Sequence, residues 1–354
     1  MNETTEQKAK SDKLLEVKDL HVSFFTPAGE VKAVGGISYS LNYNEVMGIV
    51  GESGSGKSVE AYSIMGLLQS PGKVIGGSIT FEGEDVLAKN RDEMTEMRGN
   101  RAAMIFQNPM TSLNPVYTIG NQLMEALRAH DKSISKEDAA NRAMEMLANV
   151  GINNVQARMK QYPHELSGGM RQRVMIAMGL ICHPQLLIAD ETTTAQDVTN
   201  QAQILELMKE LQSKNHMGII FITHNLGVVA EICDKVCVMY AGKMVEQGPV
   251  DDIFYKPGHP YTMGLLRSMP RVDAESHERL IPIEGTPVDM LNPPEGCPCA
   301  PRCEKAMKIC LKKMPPYVEL GNDHRAACWL CVQQQLEAQK KAAAAGKQEA
   351  QDHE

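Results

Sequence analysis

The segment Val46-Met-Gly-Ile-Val-Gly-Glu-Ser-Gly-Ser-Gly-Lys-Ser58 runs from an apolar stretch into a glycine-rich loop that ends in Lys-Ser. Its last eight residues follow the pattern G-x-x-x-x-G-K-S, which requires a strand before the loop and a helix after it. Glycines let such a loop turn tightly and aim its N–H groups at phosphate oxygens. The helix that follows presents its positive end to the same anion. The segment therefore predicts a nucleotide-phosphate site in an α/β fold.

Each position of this phosphate loop receives an expected role. Lys57 reaches the β- and γ-phosphates, and the Ser58 hydroxyl ligates Mg²⁺. The residues predicted to contact the nucleotide here are Gly51, Glu52, Ser53, Gly54, Ser55, Gly56, Lys57, Ser58 and Val59. The alternative is a chance match in an ordinary strand–helix turn, and the apolar stretch before the loop argues against it.

The composition limits the class of protein. The chain has 354 residues, which is enough for roughly two to three domains. A net charge of -8 weighs against a role in coating nucleic acid. The sequence has no apolar run of the roughly 18 residues that span a bilayer, and the polar segment Met1–Lys13 does not read as a secretory signal. These features predict a cytosolic chain that would contact a membrane only through partners.

Strand-like and helix-like segments alternate along most of the chain, which predicts α/β layers around a mixed or parallel sheet. Short strands are predicted at Leu15–Val17, Val22–Phe25 and Gly35–Leu41, and their alternating pattern fits an antiparallel layer. Residues 119–160 have a helical pattern. The tail from residue 333 to 354 is predicted to be a solvated helix or disordered.

A second apolar strand, Leu186–Ala189, is followed by two carboxylates, Asp190 and Glu191. Ligands of open α/β sheets bind at the carboxyl ends of the strands. Asp190 would orient Mg²⁺ through its water, and Glu191 would be the base for the attacking water. Two ordinary surface carboxylates are the alternative.

Gln107 and His224 also follow apolar strands, so a parallel sheet would bring both to the edge at which Asp190 lies. Gln107 would hydrogen-bond the metal or the water, and His224 would bind the γ-phosphate. Taken alone, each would be an ordinary structural polar group. Their shared position after apolar strands favours a functional role.

Ser167-Gly168-Gly169 precedes the helical pattern Arg173–Ile181 and is a second candidate for an anion-binding helix start. Two such starts for one nucleotide are explained by a dimer, in which the phosphate loop of one subunit faces these residues of the other. An ordinary N-capped helix is the alternative.

The order of these motifs resembles that of an ABC-transporter ATPase. The matching elements are the Walker A motif Gly51–Ser58, the Q-loop Gln107, the signature Leu166–Gln172, the Walker B residue Asp190 with Glu191, the D-loop Asp197 and the switch residue His224. The resemblance implies a P-loop NTPase fold of the ABC ATPase type, with a RecA-like core, an antiparallel β layer and a helical subdomain. It also implies that Phe24, or alternatively Phe25, stacks on adenine.

Further segments resemble the branch that serves oligopeptide and dipeptide importers, namely Asn108–Pro115, His259–Thr262, Leu291–Cys297 and Ala300–Cys303. This resemblance implies ATP hydrolysis at a head-to-tail dimer that powers peptide import, or import of nickel or another small solute. The implied domains are a polar tail (1–13), a nucleotide-binding domain (14–265, helical subdomain about 109–170), a cysteine-rich C-terminal extension (266–332) and a solvated or disordered tail (333–354).

The resemblance also implies partners. These are two transmembrane permease subunits, a second homologous ATPase (a paralogue in a heterodimer) and an extracytoplasmic substrate-binding protein, with no nucleic acid. The chain would then lie peripherally at the cytoplasmic face of the cell membrane. A soluble ABC ATPase acting on DNA or ribosomes is disfavoured by the single cassette and the acidic charge. A non-hydrolytic scaffold is disfavoured by Glu191.

Three positions depart from the family pattern. Thr192 replaces a proline, Gln196 replaces a leucine at the expected subunit junction, and Asn225 replaces an aspartate after the switch histidine. Every charged catalytic residue remains, so we expect an active ATPase. The effect of Thr192 and Gln196 on its turnover stays open, and the altered D-loop keeps the non-hydrolytic scaffold as an alternative.

Six of the nine cysteines lie between Cys297 and Cys331. Clustered thiolates favour Zn²⁺ or an iron–sulfur cluster, and free thiols without metal are the alternative. The spacing C-x5-C-x6-C-x17-C lacks a close C-x2-C pair, which argues against zinc. The resemblance to peptide importers implies a [4Fe–4S] cluster on Cys297, Cys303, Cys310 and Cys328, with Cys299 as a competing ligand.

Overall fold

The computed structural model describes residues 12–106, 112–191, 198–269 and 282–351, and only the backbone of 198–200 and 341–351. The strands are β1 (Lys13–Thr26), β2 (Gly29–Asn42), β3 (Val46–Val50), β4 (Gly72–Phe81), β5 (Glu84–Asp85), β6 (Ala102–Ile105), β7 (Leu186–Asp190), β8 (Gly218–Thr223), β9 (Lys235–Tyr240), β10 (Lys243–Pro249), β11 (Tyr317–Gly321) and β12 (His324–Ala327). The α-helices are α1 (Lys57–Ile64), α2 (Arg91–Met97), α3 (Ile119–His130), α4 (Lys136–Asn149), α5 (Val155–Arg158), α6 (Gly168–Leu180), α7 (Val198–Asn215), α8 (Leu226–Ile232), α9 (Val250–Tyr255), α10 (Pro260–Arg267) and α11 (Trp329–Gln351).

The strands form two sheets. A four-stranded antiparallel sheet has the order β2-β1-β4-β5, and an eight-stranded sheet has the order β11-β12-β10-β9-β3-β8-β7-β6. The pairs from β9 to β6 are parallel, and the pairs from β9 to β11 are antiparallel. The predicted α/β layering around a mixed sheet is therefore confirmed.

The central strands β3, β7 and β8 are buried at every residue. Alternate side chains enter different cores: Ile188 and Ile222 pack with the antiparallel sheet, whereas Leu187 and Phe221 pack with the helices on the other face. Burial on both faces explains why these strands are continuous apolar runs. In the parallel register Asp190 lies opposite Ile222, so the polar residues after these strands meet at one edge.

The antiparallel layer differs from the prediction in its extent. The structure has two strands of 14 residues, β1 and β2, where short separate strands were predicted. The register of β1 shifts between Val17 and Leu20, and Asp19 has a positive φ of 46°. This is a β-bulge, in which the alternation of side chains breaks while the strand continues. The interrupted pattern was therefore misread as strand ends.

Helices α3, α4 and α5 lie within residues 119–160, where the sequence pattern predicts helix, and α6 follows them in the chain. Each of the three longer helices begins at a side-chain cap: Thr118 accepts from Asn121 N, Ser135 from Asp138 N and Ser167 from Met170 N. These caps satisfy N–H groups that have no partner inside the helix. The tail that was predicted to be a solvated helix or disordered lies in α11 as far as Gln351.

Candidate nucleotide site

The phosphate loop connects β3 to α1 and is shaped by glycines. Gly54 and Gly56 have φ values of 77° and 101°. A Cβ on Gly51 would lie 2.2 Å from the Met239 carbonyl oxygen. Only glycine allows this approach to the neighbouring strand. The backbone geometry of the loop is thus the one that its sequence pattern predicts.

Lys57 is buried at the start of α1, and its ammonium group bonds the loop itself. Its Nζ donates to the carbonyl oxygens of Gly51 at 2.8 Å and Glu52 at 3.0 Å. Burial lowers the pKa of Lys57, and the nearby carboxylates of Glu191 and Asp190 oppose this shift. A phosphate in the loop would compete with these carbonyl groups for the same ammonium group.

Asp190 and Ser58 lie together between the two strand ends. The Ser58 hydroxyl donates to Asp190 Oδ1 at 3.2 Å. Asp190 is buried, and burial raises its pKa, whereas the bond from Ser58 lowers it. A hydroxyl and a buried carboxylate are oxygen donors of the kind that Mg²⁺ binds, so the two residues fit the ion predicted for them.

Glu191 and His224 are in contact at the same edge of the sheet. His224 Nδ1 lies 3.2 Å from Glu191 Oε1. Glu191 has a left-handed φ of 46°, and its N–H donates to the Ile222 carbonyl at 2.8 Å. Such a backbone costs about 1–2 kcal/mol and is held in place by its surroundings. The structure thus brings Lys57, Ser58, Asp190, Glu191 and His224 to one site.

Other predicted residues are placed as follows. Ser55 is buried, and Val59 packs against the core beside the antiparallel sheet. Phe24 lies over Gly72, where a Cβ would be 2.7 Å from its Cε1, whereas Phe25 on the opposite face of β1 is 48% exposed. Gln107, Thr192, Gln196 and Asp197 lie outside the described residues.

The second helix start begins α6. Ser167 has extended backbone angles and accepts a hydrogen bond of 3.3 Å from Met170 N. A Cβ added to Gly168 would meet no atom within 4 Å, so no described atom crowds this glycine. The N–H groups of Gly168 and Gly169 lie in the first turn, where no intrahelical partner exists for them. These N–H groups are the donors that an anion at a helix start would bond.

The four predicted cysteine ligands line one small cavity. Its walls include Cys297, Cys303, Cys310, Cys328 and also Cys299. Burial, with a smaller contribution from the neighbouring thiols, raises the pKa of Cys297 to about 11. Within the described ranges, no three His, Cys, Asp or Glu side chains form a group that could hold a metal ion.

The cysteine spacing contained a pair that the sequence reasoning passed over. Cys328 and Cys331 form a C-x2-C pair at the start of α11. A hydrogen bond from Cys331 lowers the pKa of Cys328 to about 7. The sequence therefore contains the close pair whose absence was used against zinc, although only Cys328 of this pair lines the cavity.

Contacts of Glu52 also escaped the sequence reasoning. Its N–H donates to the Tyr261 hydroxyl at 3.1 Å, and its carboxylate pairs with Arg302. Tyr261 and Arg302 lie in the segments His259–Thr262 and Ala300–Cys303, which were noted only for their resemblance. No local pattern connects them to a loop more than 200 residues away.

Comparisons with known proteins agree with this geometry. The family model described as "ABC transporter" matches residues 34–194, and the model described as "Oligopeptide/dipeptide transporter, C-terminal region" matches residues 245–310. The chain is 54% identical to the oligopeptide transport ATP-binding protein OppD of Bacillus subtilis over 90% of this chain and 89% of that protein. It is 52% identical to OppD of Escherichia coli over 92% and 96%.

A solved structure has the same fold. The structure of cbiO1 from Clostridium perfringens, part of the ABC transporter complex cbiONQ, matches with a TM-score of 0.60 and 27% identity, over 70% of this chain and 92% of that one. In the part of this chain that the structure describes, no helix is long and apolar enough to cross a membrane.

Proposed function

The chain belongs to the family of ATP-binding subunits of oligopeptide and dipeptide ABC transporters, and we propose that its phosphate-loop site binds and hydrolyses ATP to power peptide import. The observation that carries this proposal is the meeting of Lys57, Ser58, Asp190, Glu191 and His224 at the carboxyl ends of β3, β7 and β8. These are the groups that phosphoryl transfer to water requires: a cation, oxygen donors for the metal and a base.

The chain's own residues divide the chemistry between them. The loop N–H groups and the start of α1 bind the phosphates, and Lys57 releases its carbonyl partners to pair with the γ-phosphate. Ser58 and Asp190 would hold Mg²⁺, which neutralises charge on the phosphates when bound. Glu191 accepts a proton from the water whose oxygen forms the new bond to the γ-phosphorus, while the bond to the β-phosphate oxygen breaks. His224 orients the Glu191 carboxylate.

The second half of each site comes from another subunit. In this proposal the phosphate loop faces the corresponding helix start of a second homologous ATPase, a paralogue, across a head-to-tail dimer, and Ser167, Gly168 and Gly169 of this chain face the partner's phosphate loop. The position of Gly168 and Gly169 in the first turn of α6 supports this arrangement. Gln107 joins the site through the metal or the water, and Phe24 stacks on adenine.

The remaining partners follow from the family. We place the chain at the cytoplasmic face of the membrane on two permease subunits, with the helical region 109–170 as the docking part. An extracytoplasmic binding protein delivers the peptide.

The proposed function is tested in the complete transporter reconstituted in lipid vesicles. Glu191→Gln should abolish ATP turnover while binding persists, and Lys57→Ala should abolish binding and peptide uptake. Glu210→Gln and Lys214→Ala are matched controls, because these residues form an exposed pair with each other on α7 and should have no effect. Undiminished turnover in Glu191→Gln, or undiminished uptake in Lys57→Ala, would refute the proposal.

The cysteine-rich C-terminal extension is a further part of the proposal. We propose that Cys297, Cys303, Cys310 and Cys328 hold a [4Fe–4S] cluster, which would cross-link the segments of this extension when bound. Support comes from the shared cavity. In such a cluster each iron takes its own thiolate, so the four thiols need not converge as they would on one ion.

Anaerobic purification of the full chain tests this assignment. Iron and acid-labile sulfide should copurify with the wild type and be lost in Cys303→Ser. Cys182→Ser is the control, because that thiol lies outside the cavity and contacts the Ala126 carbonyl. Protein that binds stoichiometric zinc, or no metal, would contradict the cluster.

A further inference from the structure

An ion pair joins the C-terminal extension directly to the phosphate loop. Arg302 lies in the short turn Ala300–Arg302, between Cys299 and Cys303. Its Nη1 and Nη2 atoms lie 2.6 Å and 3.0 Å from the two carboxylate oxygens of Glu52. The side chain of Arg302 is only 6% exposed, whereas that of Glu52 is 26% exposed, so the guanidinium half of the pair is shielded from water. Two parallel bonds of this kind fix both the distance and the orientation of the partners.

The backbone of Glu52 is bonded to Tyr261 and to two residues of the phosphate-loop region. Its N–H donates to the Tyr261 hydroxyl at 3.1 Å, and its carbonyl accepts from Lys57 Nζ at 3.0 Å and from Ser55 N at 3.2 Å. The carboxylate is therefore attached to a residue whose backbone bonds the phosphate-binding lysine. A displacement of this side chain is transmitted to the loop backbone.

Arg302 is in turn held rigidly by the extension. Its Nε donates to the Glu284 carbonyl at 2.9 Å, and its Nη2 donates to the Ile283 carbonyl at 3.1 Å. The guanidinium carbon lies 5.8 Å from the centre of the Tyr240 ring. These contacts hold the Arg302 side chain in place independently of Glu52, so forming the ion pair costs little conformational entropy.

The Glu52 carboxylate would be unfavourable beside phosphates without a cation. It belongs to the loop that binds a polyanion, and an unpaired carboxylate there would repel that anion. Arg302 supplies the cation that neutralises it.

We propose that Arg302 is a positioning residue of the nucleotide site, which fixes the phosphate loop through Glu52 and makes nucleotide affinity depend on the folded extension. The inference rests on the proposed ATPase function and adds a residue outside the nucleotide-binding motifs. The turn that carries Arg302 is flanked by two cysteines of the cavity. Any change that unfolds this turn would therefore weaken nucleotide binding.

Titration calorimetry of the full chain with Mg²⁺ and a non-hydrolysable ATP analogue tests the proposal. Arg302→Met should raise the Kd by roughly tenfold or more, and Arg302→Lys should have an intermediate effect because it keeps the charge without the fork. In the assembled transporter the KM for ATP should rise while kcat stays close to the wild-type value, because the ion pair acts on ground and transition states alike.

A double variant tests the repulsion between the Glu52 carboxylate and the nucleotide phosphates. Combining Arg302→Met with Glu52→Gln removes both charges, so the double variant should bind the analogue more tightly than Arg302→Met alone. Arg325→Met is the matched control, since Arg325 also ties the C-terminal residues to β2, through the Ser38 carbonyl at 2.9 Å, and lies over Tyr317. It should leave the Kd unchanged.

The outcomes separate the two proposals. Absence of analogue binding by the wild type would overturn the ATPase function itself. Wild-type binding with an unchanged Kd in Arg302→Met, or additive effects in the double variant, would overturn the positioning role. If Arg302→Met does not fold, Arg302→Lys, which keeps the charge but loses the two parallel bonds, must then raise the Kd.

Discussion

Replacing Gly56 by alanine should destabilise the chain far more than the same change at Gly54, two residues earlier in the phosphate loop. Both residues have a positive φ, so an alanine is strained at either position. At Gly56 a Cβ would lie 2.4 Å from the Ala33 carbonyl oxygen, whereas at Gly54 it would meet no atom within 4 Å. The Ala33 oxygen belongs to the backbone of β2 and cannot rotate away.

The two costs can be separated. A left-handed conformation costs an L-residue about 1–2 kcal/mol, and this part is common to both variants. Only the Gly56 variant must also move backbone atoms apart, because real Cβ atoms keep contacts of at least 3.0 Å. Overpacking of this kind costs about 1–3 kcal/mol and sometimes more. The expected losses of stability are therefore about 2–5 kcal/mol for Gly56→Ala and about 1–2 kcal/mol for Gly54→Ala.

Thermal unfolding of the two full-length variants, without nucleotide, is the assay. Since about 1 kcal/mol shifts the Tm of a large domain by roughly 2–4 °C, the additional overpacking of about 1–3 kcal/mol should make the drop for Gly56→Ala about 2–12 °C larger than that for Gly54→Ala. A drop for Gly54→Ala that equals or exceeds the drop for Gly56→Ala would refute the steric reasoning, since both variants share the conformational strain.

Three further predictions concern other parts of the chain. Burial raises the pKa of Glu60 from 4.5 to about 8, so the folded chain keeps a proton that the unfolded chain loses, and the free energy of unfolding falls by about 1.4 kcal/mol per pH unit across this window. Glu60→Gln should remove this slope, and parallel Tm curves of variant and wild type from pH 5 to 8 would contradict it. Phe24→Ala should weaken ATP-analogue binding roughly tenfold through lost stacking, whereas Phe25→Ala should not; the reverse result would exchange their roles. Glu246 is fully buried and accepts bonds from two backbone N–H groups and a histidine ring, so Glu246→Ala should lower stability by about 3–5 kcal/mol, while the exposed Glu319→Ala should be neutral in the same urea unfolding experiment.

The sequence predicted those parts of the site that depend on strand ends. Asp190 and His224 each follow a run of apolar residues, and such runs form strands buried on both faces whose carboxyl ends meet at one edge. That rule predicts that His224 lies at the same edge as Asp190, whereas the hydrogen bond between His224 and Glu191 was not predicted. The phosphate loop was predictable for a different reason: its glycines and its lysine lie within one short stretch of the chain, so the motif is visible in the sequence alone.

Other features depend on contacts that no local pattern encodes. The bulge at Asp19 breaks the alternation of β1 without ending the strand. Gly77 of the neighbouring strand β4 has a φ of 88° and lacks the side chain that would collide with the backbone of the bulge. The ion pair between Glu52 and Arg302 joins residues 250 positions apart. Charge and residue type alone gave no reason to match this arginine with that glutamate.

The phosphate loop does not determine its own conformation. Four groups outside the loop restrict its six residues, Gly51–Gly56. The Ala33 carbonyl leaves no room for a side chain on Gly56, and the Gly242 N–H donates to the Ser55 carbonyl at 2.9 Å. The Tyr261 hydroxyl accepts from the Glu52 N–H, and Arg302 pairs with the Glu52 carboxylate. These groups come from the antiparallel layer, the turn after β9, helix α10 and the C-terminal extension. Nucleotide affinity is therefore a property of the whole assembled fold, because loss of any one of these elements frees a loop whose glycines favour many other conformations.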